Sequence, residues 1–482
     1  MSAGLGAAPT DEIWRWDATR MAAAIARRAV SSRETVQACL ARMAAVNPRL
    51  NAVTVNLGAA ALEAADQADA AVARGDALGP LHGVPVGIKE NIDQAGCATT
   101  NGIVAFRDLM ATENSPVVAN WIAAGAVVLG RTNTPGFSFR LDTENDLRGL
   151  TYNPWSETHT PGGSSGGAAS SVAAGITPLS HGNDIAGSIR YPAYVCGLAG
   201  LRPSFGRVPA FNPSATAERS MSSQLFSVQG PLARTVRDIR LGLAAMAAPD
   251  LRDPWWMNAP LEGPPLPRPL RVAVVTDPEA LGGAPLHPSI VGALHDAAGW
   301  LAEAGYEIVD TPTPGFTRAM ELWFALQMPE IRVFLWPAID RYGDLGIRRA
   351  MRLMLDAHPA EDGIPYMKAL AERARLVRAW RQFLDQVPLV LAPVCTQPVY
   401  TRGFDVQSVE RTAEFWRECA TLTAVPVLGV PALAVPTGIV DGLPIGVQIL
   451  AARFREDLCL EAGEAIEARA GMAARLPVDI AW

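Results

Sequence analysis

The sequence predicts an α/β fold built as one large domain, residues 1–482, with a helical insertion. Three observations lead there. Short apolar, strand-like runs alternate with helical periodicity from residue 83 onward. Hydrophobic residues make up 49% of the chain and charged residues 18%, enough to bury an extensive core and to exclude wholesale disorder. No internal repeat of about 20–50 residues recurs, which removes solenoids and propellers.

The elements follow in order. Residues 11–80 read as helices. Ser31 and Glu34 form an S-x-x-E capping box ahead of Val36, Cys39, Leu40 and Met43 at helical spacing, and Asn47-Pro48 is the expected end of that helix. Residues 59–73 are an Ala-rich second helix. Residues 83–89 read as a short apolar strand, 117–124 as a helix and 126–129 as a buried strand. Residues 161–207 are rich in Gly and Ser, yet 168–174 start a helix and 198–208 read as strand and turn. Residues 235–246 are a helix. Residues 251–269 hold six prolines and the adjacent Trp255 and Trp256, and read as a surface crossing. A strand starts at 271–275, an amphipathic helix spans 287–304, residues 317–386 are mostly helical, and 388–393 are strand-like. The most apolar stretch, 421–450, contains Pro426, Pro431, Pro436 and Pro444. Prolines that frequent break a spanning helix, so short buried strands and turns are expected there, and no membrane partner.

Composition excludes several functions. The net charge of −7, from 41 basic and 48 acidic residues, argues against a general nucleic-acid binder. The six cysteines form no CxxC and no Cys/His cluster with ligand spacing, and no HExxH occurs, so neither a metal site nor a zinc hydrolase is expected. The thiols read as reduced and mostly buried. Asp11 and Glu12 stand where a secretory signal would carry a basic start and an apolar run, so a cytoplasmic protein is expected.

Two glycine-rich segments carry the candidate chemistry, Pro161-Gly-Gly-Ser164-Ser165-Gly-Gly167 and Gly182-Asn-Asp184-Ile-Ala-Gly187-Ser188-Ile-Arg190. Glycines around a serine let the backbone approach a substrate closely and let successive N–H groups point at one spot. Gly163–Gly167 also matches G-x-S-x-G, which would make Ser165 an α/β-hydrolase nucleophile. That fold needs Asp or Glu and then His later in the chain, and the last histidine, His358, sits at what looks like a helix end. Residues 83–89 lack the phosphate-loop pattern GxxxxGK[ST].

These segments, together with Gly83-Val-Pro-Val-Gly-Ile-Lys89-Glu-Asn, Gly130-Arg-Thr-Asn133, Cys196-Gly-Leu-Ala-Gly-Leu-Arg-Pro203 and Gly442-Leu-Pro-Ile-Gly-Val-Gln448, resemble the amidase signature family of hydrolases. The resemblance spans nearly the whole chain. Residues of about 80–210 hold the signature core, and about 312–420 form a variable helical cap that shapes the pocket in such enzymes. It implies the amidase signature fold, a large mixed β-sheet flanked by helices on both faces. It implies a Ser-Ser-Lys triad: Ser188 the nucleophile, Ser164 the bridging serine on a cis peptide, and Lys89 the base. The amides of Ile185, Ala186, Gly187 and Ser188 would form the oxyanion hole. Ser165 would hydrogen-bond behind the triad. Asp184 would order the loop around Ser188, or simply cap a turn; Arg190 would pair with an acidic group or orient the same loop.

The residue types suit those roles. A serine hydroxyl attacks only when a base takes its proton. A lysine serves only when neutral, so burial must lower its pKa from about 10.4. Arginine does not deprotonate in proteins and cannot substitute. Of the 41 basic residues only Lys89 and Lys368 are lysines, which makes the choice at 89 informative. Two positions depart from the family pattern. Ala186 stands where many members have Gly, which is costly if φ must be positive there. Gly136 stands where a Glu often follows Thr-Asn-x-Pro.

The variable region offers Trp323, Phe324, Leu326, Met328, Phe334, Leu335 and Trp336, then Met351, Leu355 and Trp380, with few charges among them. At helical spacing such residues serve as core or as pocket. A neutral hydrophobic or aryl amide is the expected small-molecule substrate. A carbamate (urethane) presents the same carbonyl and nitrogen leaving group, and urethanases belong to the family. The alternatives are the amidotransferase component of a tRNA-dependent transamidation complex, an esterase, and a non-catalytic scaffold. The chemistry requires no cofactor, and the chain is expected as a monomer or homodimer.

Overall fold

A computed structural model describes residues 10–359, 363–477 and 480. Its centre is an eleven-stranded mixed sheet. In chain order the strands are β1 (Val53–Asn56), β2 (Pro85–Lys89), β3 (Val127–Thr132), β4 (Leu179–Asp184), β5 (Ala199–Arg202), β6 (Val228–Ala233), β7 (Arg271–Val274), β8 (Glu307–Val309), β9 (Leu389–Pro393), β10 (Ala432–Val440) and β11 (Leu443–Ala451). Their order across the sheet is β1-β3-β2-β4-β6-β5-β10-β11-β9-β7-β8. β2 pairs in parallel with both β3 and β4, while β4 pairs antiparallel with β6. The central strands β2, β5, β6 and β9 are buried along their whole length. Runs apolar on both faces are what a sheet covered by helices requires.

The N-terminal capping box forms: the Ser31 hydroxyl accepts from the Glu34 N–H at 3.0 Å, and the Glu34 carboxylate accepts from the Ser31 N–H at 2.7 Å. Asn47-Pro48 does not end that helix, which runs Ser32–Leu50 with Pro48 inside its last turn. Proline's φ fits a helix, and only its missing N–H is lost there. The chain turns instead at Asn51, in the left-handed region, while the Asn47 carboxamide accepts from the N–H groups of Ala52 and Val53. The all-helical reading of residues 11–80 also misses β1, whose β-branched Val-Thr-Val pairs with β3 at the sheet edge.

The expectation of only strands and turns after residue 421 is corrected too. Ala420–Leu428 is a helix with Pro426 inside it, closed by Gly429 at φ 69°. Pro426 cannot donate to the carbonyl of Leu422 four residues earlier, and that free oxygen accepts from Arg190 at 2.7 Å. Residues 317–386 form the expected helical segment: Thr317–Glu330, a π-helical turn Ile331–Leu335, Trp336–Tyr342, Leu345–Ala357 and Ile364–Gln386. Among the described residues no helix is long and apolar enough to cross a membrane.

Candidate active site

Parallel pairing brings the C-terminal ends of β2 and β4 to the same edge of the sheet, where open α/β sheets place their ligands. Lys89 ends β2 and Asp184 ends β4. Ser164 and Ser165 precede the helix Gly166–Ala173, with Ser165 at its N-cap position. The Gly163–Ser164 peptide bond is cis.

Lys89 is 0% exposed. Its Nζ lies 2.7 Å from Ser164 Oγ, and donates to Asn183 Oδ1 at 2.7 Å and to Ser165 Oγ at 3.2 Å. None of these partners is charged. The carboxylate next in sequence, Glu90, is held by Arg148 at 2.6 Å and by the hydroxyls of Thr100 and Thr54. Burial pushes the Lys89 pKa well below the ordinary lysine range and outweighs the charge of Asp184, which pulls the other way. Asn183 lies inside the motif beside Asp184, yet residue type and spacing alone give it no role.

Asp184 does more than cap a turn. Its carboxylate accepts from the Gly187 N–H at 2.8 Å and from the Ile189 N–H at 3.4 Å, and pairs with Arg190 at 3.0 Å and Arg202 at 3.4 Å. Burial alone raises the Asp184 pKa, but the two guanidinium groups and the loop N–H outweigh it and hold the carboxyl below its usual range. Arg190 also donates to the carbonyls of Thr421 and Leu422, so the loop after β4 is tied to the helix Ala420–Leu428.

Beside this loop lies a cavity of about 770 Å³ lined by Ser164, Asn183, Ile185 and Ser188 among others. Among the described residues the amides of Ile185, Ala186 and Ser188 have no hydrogen-bond acceptor. The Gly187 amide is different, because it is given to Asp184. Gly187 takes φ 95°, and a Cβ there would meet Leu422 at 2.7 Å; Ala186 is not among the positive-φ residues, so its methyl costs no backbone strain. Ser188 lines the same cavity as Ser164, but no hydrogen bond joins the two hydroxyls.

The helical segment divides as its two possible roles allow. Phe334 and Leu335 line the cavity, joined by Phe137 and Phe211 from elsewhere in the chain. Trp323, Leu326, Met328, Met351 and Trp380 are buried in the core. Trp323 has one polar task, since its indole N–H donates to the Ile185 carbonyl at 3.0 Å. Gly136 packs beside Asp344 and Ile347 of the same segment, where an added Cβ would meet the Asp344 carboxylate at 2.9 Å.

Residues 34–460 match the family model described as amidase. The chain belongs to the amidase family. It is a hydrolase of amide C–N bonds. Indoleacetamide hydrolase of Bradyrhizobium diazoefficiens is 46% identical over 97% of this chain and 88% of its own length. A glutamyl-tRNA(Gln) amidotransferase chain of Chloroflexus aurantiacus is more distant, 32% identical over 95% of this chain and 97% of its own. Among solved structures, a bacterial aryl acylamidase of the amidase signature family superposes with a TM-score of 0.80 at 25% identity, covering 96% of this chain and 98% of its own. Within this amidase fold the signature segments lie at the strand ends described above, and the helical segment walls the cavity.

Proposed function

We propose that this amidase hydrolyses neutral aryl amides, arylacetamides first among them, through an acyl-enzyme on Ser188. The observation that carries the reading is the Lys89 amine, fully buried, hydrogen-bonded to neutral groups and 2.7 Å from the Ser164 hydroxyl. A neutral amine has two N–H donors and one lone pair, which matches three neutral partners. Asn183 Oδ1 accepts one N–H and Ser165 the other, leaving the lone pair for the Ser164 proton.

Attack follows from that arrangement. Substrate in the cavity draws the Ser188 hydroxyl toward Ser164. Ser188 Oγ bonds to the carbonyl carbon as its proton passes to Ser164 and the Ser164 proton passes to Lys89. The developing oxyanion is held by the free amides of Ile185, Ala186 and Ser188. Lys89 returns the proton through Ser164 to the departing nitrogen, the C–N bond breaks, and water releases the acid by the same relay. Gly187 supports this hole through Asp184 and donates nothing to it.

The substrate class rests on the cavity wall and on the relative that is 46% identical, an indoleacetamide hydrolase. Ile92, Phe137, Phe139, Phe211 and Phe334 supply an apolar surface. The Glu330 carboxylate on that wall is occupied by the Ser222 N–H at 2.9 Å and the Tyr366 hydroxyl at 2.5 Å. Carbamates are a second substrate class for the same relay, since only the acyl side of the carbonyl changes.

The test is a panel of arylacetamides, aliphatic amides, carbamates and matched esters, run on wild type and Ser188→Ala. The wild type alone, with no partner chain, should release amine or ammonia fastest from arylacetamides. Ser188→Ala should fold normally and lose at least about 10³-fold in kcat. Retained turnover in that variant overturns the acyl-enzyme.

A further inference from the structure

We propose that Trp323 is a positioning residue for the oxyanion site, acting from the helical segment on the loop that precedes Ser188. The proposal rests on the acyl-enzyme reading above. Trp323 sits in the helix Thr317–Glu330, far from the loop in sequence, and is 0% exposed. Its indole Nε1–H donates to the Ile185 carbonyl at 3.0 Å.

One peptide plane converts that contact into a function. The bond joining Ile185 to Ala186 is trans, so its C=O and N–H point in opposite directions. Holding the oxygen therefore sets the direction of the Ala186 N–H, one of the three amides without an acceptor. Residues 185–189 belong to no strand or helix, so no ladder orients this peptide. Side chains pin the loop instead, beginning with Arg202, which donates to the Asp184 carbonyl at its entry at 2.5 Å. Asp184 holds its second half through the N–H groups of Gly187 and Ile189. Trp323 holds its first half.

The indole is itself well seated. It stacks on Trp416 with centroids 5.9 Å apart at 25°, and meets Phe324 edge-on at 5.0 Å and 80°. Packing thus places the ring, and the ring places the peptide. A tryptophan whose helical spacing fits core supplies a polar contact, and on the acyl-enzyme reading that contact falls beside an amide facing the developing negative charge.

The experiment compares wild type, Trp323→Phe and Ser188→Ala on phenylacetamide. A trifluoromethyl ketone bearing the same benzyl group is the second probe, because it forms an anionic tetrahedral adduct with a serine. Trp323→Phe keeps an aromatic ring and removes the donor. We expect kcat to fall about 5- to 30-fold with KM within about twofold, and Ki for the ketone to rise by the same factor as kcat falls. A purely structural role would lower the folded fraction without that matched change. If Trp323→Phe does not fold, 3-benzothienylalanine at position 323 keeps the indole shape and replaces the N–H by sulfur. Unchanged kcat and unchanged ketone affinity in either variant overturn the proposal while Ser188→Ala stays inactive. Turnover retained by Ser188→Ala overturns the acyl-enzyme and this proposal together.

Discussion

The floor and the wall of the cavity are built on opposite plans. The floor is made of strand ends and the loops that leave them. Lys89, Ser164, Ser165 and Asp184 are buried there, and their polar side-chain contacts are short and directed. The wall contributed by the helical segment includes a π-helical turn, Ile331–Leu335, on which Val333 is 67% exposed and Phe334 63% exposed. The proposed proton relay would need atoms held to a few tenths of an ångström in a dry setting, which strand register and paired charges provide. Selection of an acyl group needs only apolar area of the right shape. Changes in the floor should therefore abolish chemistry or stability, and changes in the wall should alter which substrate is used.

The largest effect should come from Lys89→Arg. The side chain stays cationic but gives up no proton, so kcat should fall as far as in Lys89→Ala, about 10³-fold or more. In the wild type, burial lowers the Lys89 pKa, so the amine is protonated below that value and neutral above it. kcat/KM should accordingly rise with pH through the depressed pKa, approaching about tenfold per pH unit on the acid side. A Lys89→Arg enzyme with wild-type turnover, or a wild-type profile flat through the acid range, would break the contrast between floor and wall.

Asp184→Asn comes next. It leaves Arg190 and Arg202 buried with no carboxylate between them. Stripping one partner from such a cluster costs about 3–5 kcal/mol, to be read as a lowered urea midpoint. An unchanged midpoint would mean that the loop after β4 is held by something else.

Phe334→Ala should do least to the fold and still be visible in specificity. Its ring is mostly solvent-facing, so stability should move by no more than about 0.5 kcal/mol. The ratio of kcat/KM for phenylacetamide to that for propionamide should fall about 3- to 10-fold. An equal loss on both substrates would place Phe334 with the floor instead.

Several features were legible in the chain because their causes are local. The Ser31–Glu34 box closes within one helical turn. The serine-glycine segments flank the cavity, and Asp184 and Arg190, six residues apart, pair. Local rules failed where a side chain outside the pattern supplied or claimed a backbone bond. Pro426 reads as a helix breaker until Arg190 is seen to take the carbonyl that the proline leaves free. Pro48 reads as a helix end until Asn47 is seen to cap the turn beyond it. Gly187 reads as an oxyanion donor until Asp184 claims its N–H.

The sequence by itself determined the family, the α/β alternation and the presence of one lysine where nearly every other base is arginine. These are matters of residue type and short spacing, and they survive without coordinates. Only the tertiary structure decided that Asn183 accepts from Lys89, that three amides after β4 have no acceptor among the described residues, and that an indole from a distant helix holds the Ile185–Ala186 peptide of that loop. Hydrogen bonds across such separations depend on how strands and helices pack, and packing leaves no periodic mark in the chain that a reader of residues can count.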